Sequence, residues 1–118
     1  MKNTIYLTLF LFGFLQANAQ VDYLKEANTC FEKGDYECAK KNYTLFQTFD
    51  GRDMNAEIQK TDECFRTLIA ANEFFKEKDY EKARERYKVI LEKNPKDSYA
   101  KKQYDECMVT KLKDLHTR

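Results

Sequence analysis

Apolar side chains fall at helical spacing along almost the whole of this chain, and no segment alternates with a sustained period of two. Gly34, Gly51 and Pro95 stand where the helical pattern breaks. Asp35, Asp53, Asp79 and Asp97 sit just after or near the breaks, where a carboxylate accepts the orphan amide protons of a first helical turn. The pattern predicts helices over about 21–33, 37–49, 54–77, 81–93 and 97–115, and no sheet. The third is long and amphipathic, with Met54, Ile58, Thr61, Phe65, Leu68, Asn72 and Phe75 on one stripe. Ala100, Tyr104, Met108, Leu112 and Leu115 line the last in the same way.

The helices repeat. Asp35-Tyr36-Glu37-Cys38-Ala39-Lys40, continued to Tyr43, returns 44 residues later as Asp79-Tyr80-Glu81-Lys82-Ala83-Arg84, continued to Tyr87. Upstream, Leu24, Ala27, Asn28 and Phe31 return as Leu68, Ala71, Asn72 and Phe75; downstream, Asp53, Ala56 and Gln59 return as Asp97, Ala100 and Gln103. A fixed offset over so many positions implies stacked units that bury their apolar faces against one another. Ala27 with Ala39, and Ala71 with Ala83, are small enough to let paired antiparallel helices approach to the lower end of the usual ~8–10 Å. Tyr36, Tyr43, Tyr80 and Tyr87 supply the aromatic plugs of the two hairpins.

The first 19 residues obey another pattern: Lys2, an apolar run from Ile5 to Leu15, then small residues at Ala17-Asn18-Ala19. That order is a secretory signal, with cleavage expected after Ala19. The run is shorter than the ~20 apolar residues that cross a bilayer. The expected location is periplasmic or secreted, with no stable membrane insertion after cleavage. Residues 20–118 divide into a first repeat at about 20–51, a second at about 54–95 and a capping helix at about 97–115.

Charge narrows the partners. The chain has 21 basic and 20 acidic side chains, and loss of Lys2 makes the remainder formally neutral. With the signs interspersed, nothing points to nucleic acid or to an anionic membrane.

Cys30, Cys38, Cys64 and Cys107 lie beyond the signal, and an even count in an exported chain favours disulfides. Cys30 and Cys38 flank the first inter-helix turn. Cys64 and Cys107 each end an Asp-Glu-Cys triplet and are expected at similar heights on neighbouring helices. The expectation is therefore 30–38 with 64–107, against the alternative of four buried thiols packing as small apolar groups. No Cys-x-x-Cys occurs and the one histidine, His116, is near the end, so neither a metal site nor a histidine-assisted nucleophile is expected. Nor does a Gly-rich phosphate loop suggest a cofactor. Asn42-Tyr43-Thr44 has the form of a glycosylation sequon, but Tyr43 is expected in the core. The expected class is non-enzymatic.

The arrangement of Ala71, Tyr80, Ala83, Tyr87 and Pro95 resembles the tetratricopeptide repeat family, as do Ala27, Gly34, Tyr36, Ala39 and Tyr43 in the first unit, where Gly51 stands in place of the proline. The resemblance implies an all-α fold of antiparallel hairpins stacked as a short solenoid, two repeats and a terminal helix. This period is ten residues longer than that family's 34, which places an extension at the start of the 54–77 helix. It further implies a protein or peptide partner held in a groove lined by the first helix of each pair: Leu24, Lys25, Asn28 and Phe31, then Leu68, Ile69, Asn72 and Phe75. Asn28 and Asn72 would either grip a ligand backbone through both amide functions or hydrogen-bond to a neighbouring helix. Leu24 and Leu68 stand where that family's carboxylate clamp has a lysine. A self-associating or envelope-complex subunit, or a shortened relative of a larger protein, is the other reading.

Overall fold

The computed structural model describes residues 22–117; the expected signal at 1–19 lies outside them. Five helices, and no strand among the described residues, make the chain all-α: α1 (Tyr23–Glu32), α2 (Tyr36–Asp50), α3 (Asn55–Lys76), α4 (Tyr80–Lys93) and α5 (Ser98–Thr117). Each packs chiefly on the next in chain order.

Three of the four expected aspartates cap; the helix after Asp53 has Met54 at its N-cap position, with no side-chain cap. Asp35 accepts from the Cys38 amide at 3.2 Å, Asp79 from Lys82 at 3.3 Å and Asp97 from Ala100 at 2.9 Å. Asp22 adds a fourth, accepting from Lys25 at 3.0 Å, while Asp53 turns to the amide of Asn55 at 2.9 Å. Both hairpin turns pass through a positive φ at repeat-equivalent positions, Gly34 (81°) and Lys78 (65°). Ala27, Ala39, Ala71 and Ala83 have no exposed surface, as close helix pairing requires. Tyr36, Tyr43, Tyr80 and Tyr87 are buried beside them.

One buried polar cluster ties the two hairpins together. The Tyr36 hydroxyl at the head of α2 donates to Asp97 Oδ2 at 2.6 Å and accepts from Asn94 Nδ2 at 3.0 Å. Asn94 also donates to the Phe31 carbonyl at 2.6 Å, at the end of α1. The α4–α5 loop thus satisfies polar groups of the α1–α2 turn, and burial followed by the carboxylate bond pushes the Tyr36 phenol up. Gly34 is required here twice over: its φ is left-handed, and a Cβ would stand 2.8 Å from the Asp97 carboxylate. Among the described residues, no buried side-chain nitrogen or oxygen lacks a partner.

Two expectations need correction. Cys30 and Cys38 are joined, with Sγ atoms 2.00 Å apart and Cα atoms 5.7 Å apart, but Cys64 and Cys107 are buried free thiols. The reason is a stagger. Cys64 and Cys107 are each the tenth residue of their helix, but α3 has 22 residues and α4 only 14, so α5 begins about eight residues, or ~12 Å, up the length of α3. Cys64 lies near Tyr36 and Lys93, and Cys107 near Arg84, toward opposite ends of α4. Burial pushes both thiols up, which keeps them protonated and inert. In α5 the expected apolar stripe is also split: Ala100 and Cys107 are buried and Tyr104 half-buried, whereas Met108, Leu112 and Leu115 are exposed. The buried Cys107 takes the place of Cys64 at an offset of 43, so α5 is one residue out of the 44-residue register.

Removing the Tyr36 hydroxyl breaks a bond to a carboxylate and leaves Asp97 short of a donor. Tyr36→Phe should lower unfolding free energy by about 2–3 kcal/mol, read from urea denaturation. Lys78→Gly should raise it by about 0.5–1 kcal/mol, because it relieves a left-handed backbone that only Gly adopts freely. Gly34→Ala should have the opposite sign. Stabilisation by Gly34→Ala would contradict the close approach of Asp97.

Candidate functional site

Four of the eight residues expected in the groove are structural. Leu24, Phe31, Leu68 and Phe75 are half-buried and pack against the two core clusters. Phe31 stands edge-on to Tyr36 at 5.6 Å and Phe75 edge-on to Tyr80 at 5.4 Å, the same contact made twice. The Lys60 ammonium sits 4.8 Å from the Phe31 ring centroid, covering it further. The exposed members are Lys25, Asn28, Ile69 and Asn72.

Within that subset the asparagines repeat in detail. Asn28 Oδ1 on α1 accepts the Tyr43 hydroxyl of α2 at 2.6 Å. Asn72 Oδ1 on α3 accepts the Tyr87 hydroxyl of α4 at 2.5 Å, and a second bond from Tyr99 of α5 at 3.0 Å. Tyr43 and Tyr87 are anchored in the core, so each carboxamide is fixed by its oxygen while the side chain stays at the surface. Gripping through both amide functions therefore does not hold for Asn72, whose oxygen already accepts two hydroxyls. Its NH2 group remains as the donor, and the same end of Asn28 repeats it one unit away. Tyr99 was not a residue that spacing could nominate, because its role depends on how α5 returns past α3.

A second concave surface lies between α2 and α3, a groove of about 510 Å³ walled by Tyr36, Leu45 and Phe65 and rimmed by Lys40, Lys41 and Asp62. Asp62 bridges Lys40 at 3.0 Å and Arg66, and the pair of cations holds its carboxyl below the usual range, Lys40 first. Tyr80, Glu81, Arg84 and Glu85 line a smaller groove of about 290 Å³ between α4 and α5, 44 residues on from Tyr36, Glu37, Lys40 and Lys41. Sequence reading missed both, since Phe65 lies on the stripe assigned to the core.

Asn42, in the sequon, is buried and donates to the Cys38 carbonyl at 2.9 Å, so its nitrogen is not presented to solvent. His116 is exposed in the last turn of α5. Among the described residues, metal-ligating atoms come together at one place, Glu26, Cys30 and Cys38, all within 4.8 Å of one another. The chain matches no family model, no curated protein and no solved structure.

The tyrosines that fix the asparagines make stability sensitive to alkali. Burial, as the leading cause, pushes the Tyr43 phenol up and the Tyr87 phenol up to about 12. An unfolded tyrosine loses its proton near pH ~10, so the folded state then binds more protons than the unfolded one. Stability should be intact below pH ~10 and fall as pH rises to about 12. Urea midpoints across that range should show the fall in the parent chain and a shallower one in Tyr87→Phe; identical slopes would contradict the assignment.

Proposed function

We propose that this chain is a non-catalytic protein- or peptide-binding module of an exported protein, built as a short tetratricopeptide-like stack of two hairpins and a terminal helix. The observation that carries the reading is the repeated donor pair: Asn28 and Asn72, exposed, one period apart, each held through its oxygen by a core tyrosine. A peptide backbone offers carbonyl oxygens at regular intervals, and two pre-oriented NH2 groups on successive units suit it. Fixing the carboxamides beforehand lowers the ordering cost of binding. Ile69, 47% exposed beside Asn72, adds apolar contact, and Lys25 occupies its equivalent position in the first unit. The Cys30–Cys38 disulfide fits an oxidising compartment, which supports export to the periplasm or medium. No helix among the described residues is long and apolar enough to cross a membrane.

Self-association is the second reading, favoured by Met108, Val109, Leu112 and Leu115, which are 43–60% exposed on one side of α5. The two readings make different use of the surface.

Peptides selected by display against the domain provide the probe. Asn28→Ala and Asn72→Ala should each weaken binding by about 0.5–1.5 kcal/mol, measured by calorimetry, with helix content retained. Leu112→Lys should leave peptide affinity unchanged. Under self-association, Leu112→Lys lowers the sedimentation-derived mass at high concentration and the asparagine variants bind peptide as the parent does.

A further inference from the structure

We propose that the reduced form of the first hairpin is a binding site for a thiophilic divalent cation, zinc or cadmium, formed by Cys30, Cys38 and Glu26. Sequence spacing hides this site, because the ligands are arranged as Glu-x3-Cys-x7-Cys across a turn. Folding brings them together. Glu26 lies one turn before Cys30 on α1, its Oε1 4.0 Å from Cys30 Sγ, and Cys38 is the third residue of α2. All three donor atoms fall within 4.8 Å of one another.

Opening the disulfide is a two-electron step. A dithiol reductant attacks one sulfur, becomes a cyclic disulfide itself, and leaves Cys30 and Cys38 as thiols. A divalent cation then displaces both thiol protons to solvent. Zinc–thiolate bonds of ~2.3 Å in a tetrahedral site set the two sulfurs roughly 3.8 Å apart. With Cα atoms 5.7 Å apart, side-chain rotation supplies that separation without moving the helices. Glu26, exposed, has the freedom to swing onto the cation as a third ligand, and water completes the fourth position. Two sulfurs select zinc or cadmium over calcium or magnesium.

The surroundings support the thiolate. Asn42, buried in α2, lies with Nδ2 3.4 Å from Cys38 Sγ and is fixed by its bond to the Cys38 carbonyl. Such an outer contact orients a ligand and stabilises its charge. Disulfide and cation are mutually exclusive occupants of the same sulfurs, so a bound cation blocks re-formation of the disulfide.

The test uses the full exported chain, reduced with dithiothreitol, desalted without oxygen and titrated with cadmium. Thiolate-to-cadmium absorption in the ultraviolet reads the bonds formed, and competition with a chromophoric chelator gives the zinc affinity. One cation per reduced chain and none in the oxidised chain is expected. Cys38→Ser should abolish the absorption. Glu26→Gln, a surface change that leaves the fold intact, should weaken zinc at least about tenfold, and Asn42→Ala about 10–100-fold. The Cys64→Ala/Cys107→Ala double variant should bind as the parent does. Equal binding by the oxidised chain, loss of binding in that double variant, or a Glu26→Gln affinity equal to the parent's would each overturn the proposal.

Discussion

The hydroxyl of Tyr36 against the carboxylate of Asp97, 2.6 Å apart and shut away from water, is the contact on which the arrangement of the helices depends. Helices that pack only on their chain neighbours could hinge at every turn. Here the α4–α5 loop reaches back across more than half the described chain to the α1–α2 turn and closes it. Asp97 serves two ends at once, since its other oxygen caps α5 through the Ala100 amide. Neither oxygen can be released cheaply, because an unpaired carboxylate in that setting costs several kcal/mol. Gly34 is tied to the same contact: any side chain there would collide with the carboxylate it faces.

The second constraint is the stagger of α3. Because α3 outruns α4 by eight residues, α5 starts partway up α3 instead of level with its foot. That offset brings the 94–97 loop to the height of the first hairpin turn, where Tyr36 meets it. It also separates Cys64 from Cys107 and leaves both as protonated packing groups in the core. A single feature, the extension of one helix, therefore accounts for the joint between hairpins and for the absence of the second disulfide among the described cysteines.

The helices were legible because capping aspartates, two glycines and one proline mark their ends in the sequence. The four alanines and four tyrosines buried in the two hairpins could be named from the 44-residue offset, whereas Phe46 and Phe74, which pack against the same clusters, could not. The Cys30–Cys38 bond was legible too, since eight residues across a tight turn restrict where the sulfurs can go. Height along a helix was not. Offsets are counted along the chain, whereas Cys64 and Cys107 differ in height because the intervening helix is short. In α5 the inward position falls on Cys107 and leaves Met108 exposed, an offset of 43 where the repeat has 44. The candidate site was half legible. Asn28 and Asn72 stand out by repetition, but that their oxygens are already held by Tyr43, Tyr87 and Tyr99 is a three-dimensional fact. The outer groove at Phe65 and the cluster at Glu26 needed the packing of whole helices to appear.

The sequence repeat sets Asn28 and Asn72 one period apart, and the proposed function rests on what the two hairpins present together. The core tyrosines connect the two levels here, since the rings that fill the hairpins also aim the carboxamides at the surface. Nuclear magnetic resonance of the side-chain NH2 groups, during titration with a selected peptide, tests that connection most directly. The account predicts that the Asn28 and Asn72 NH2 signals shift together with one common dissociation constant, while the backbone amide signals of Met108 and Leu112 on α5, followed in the same spectra, stay in place. Unmoved asparagine signals, with binding shifts confined to α5, would contradict it.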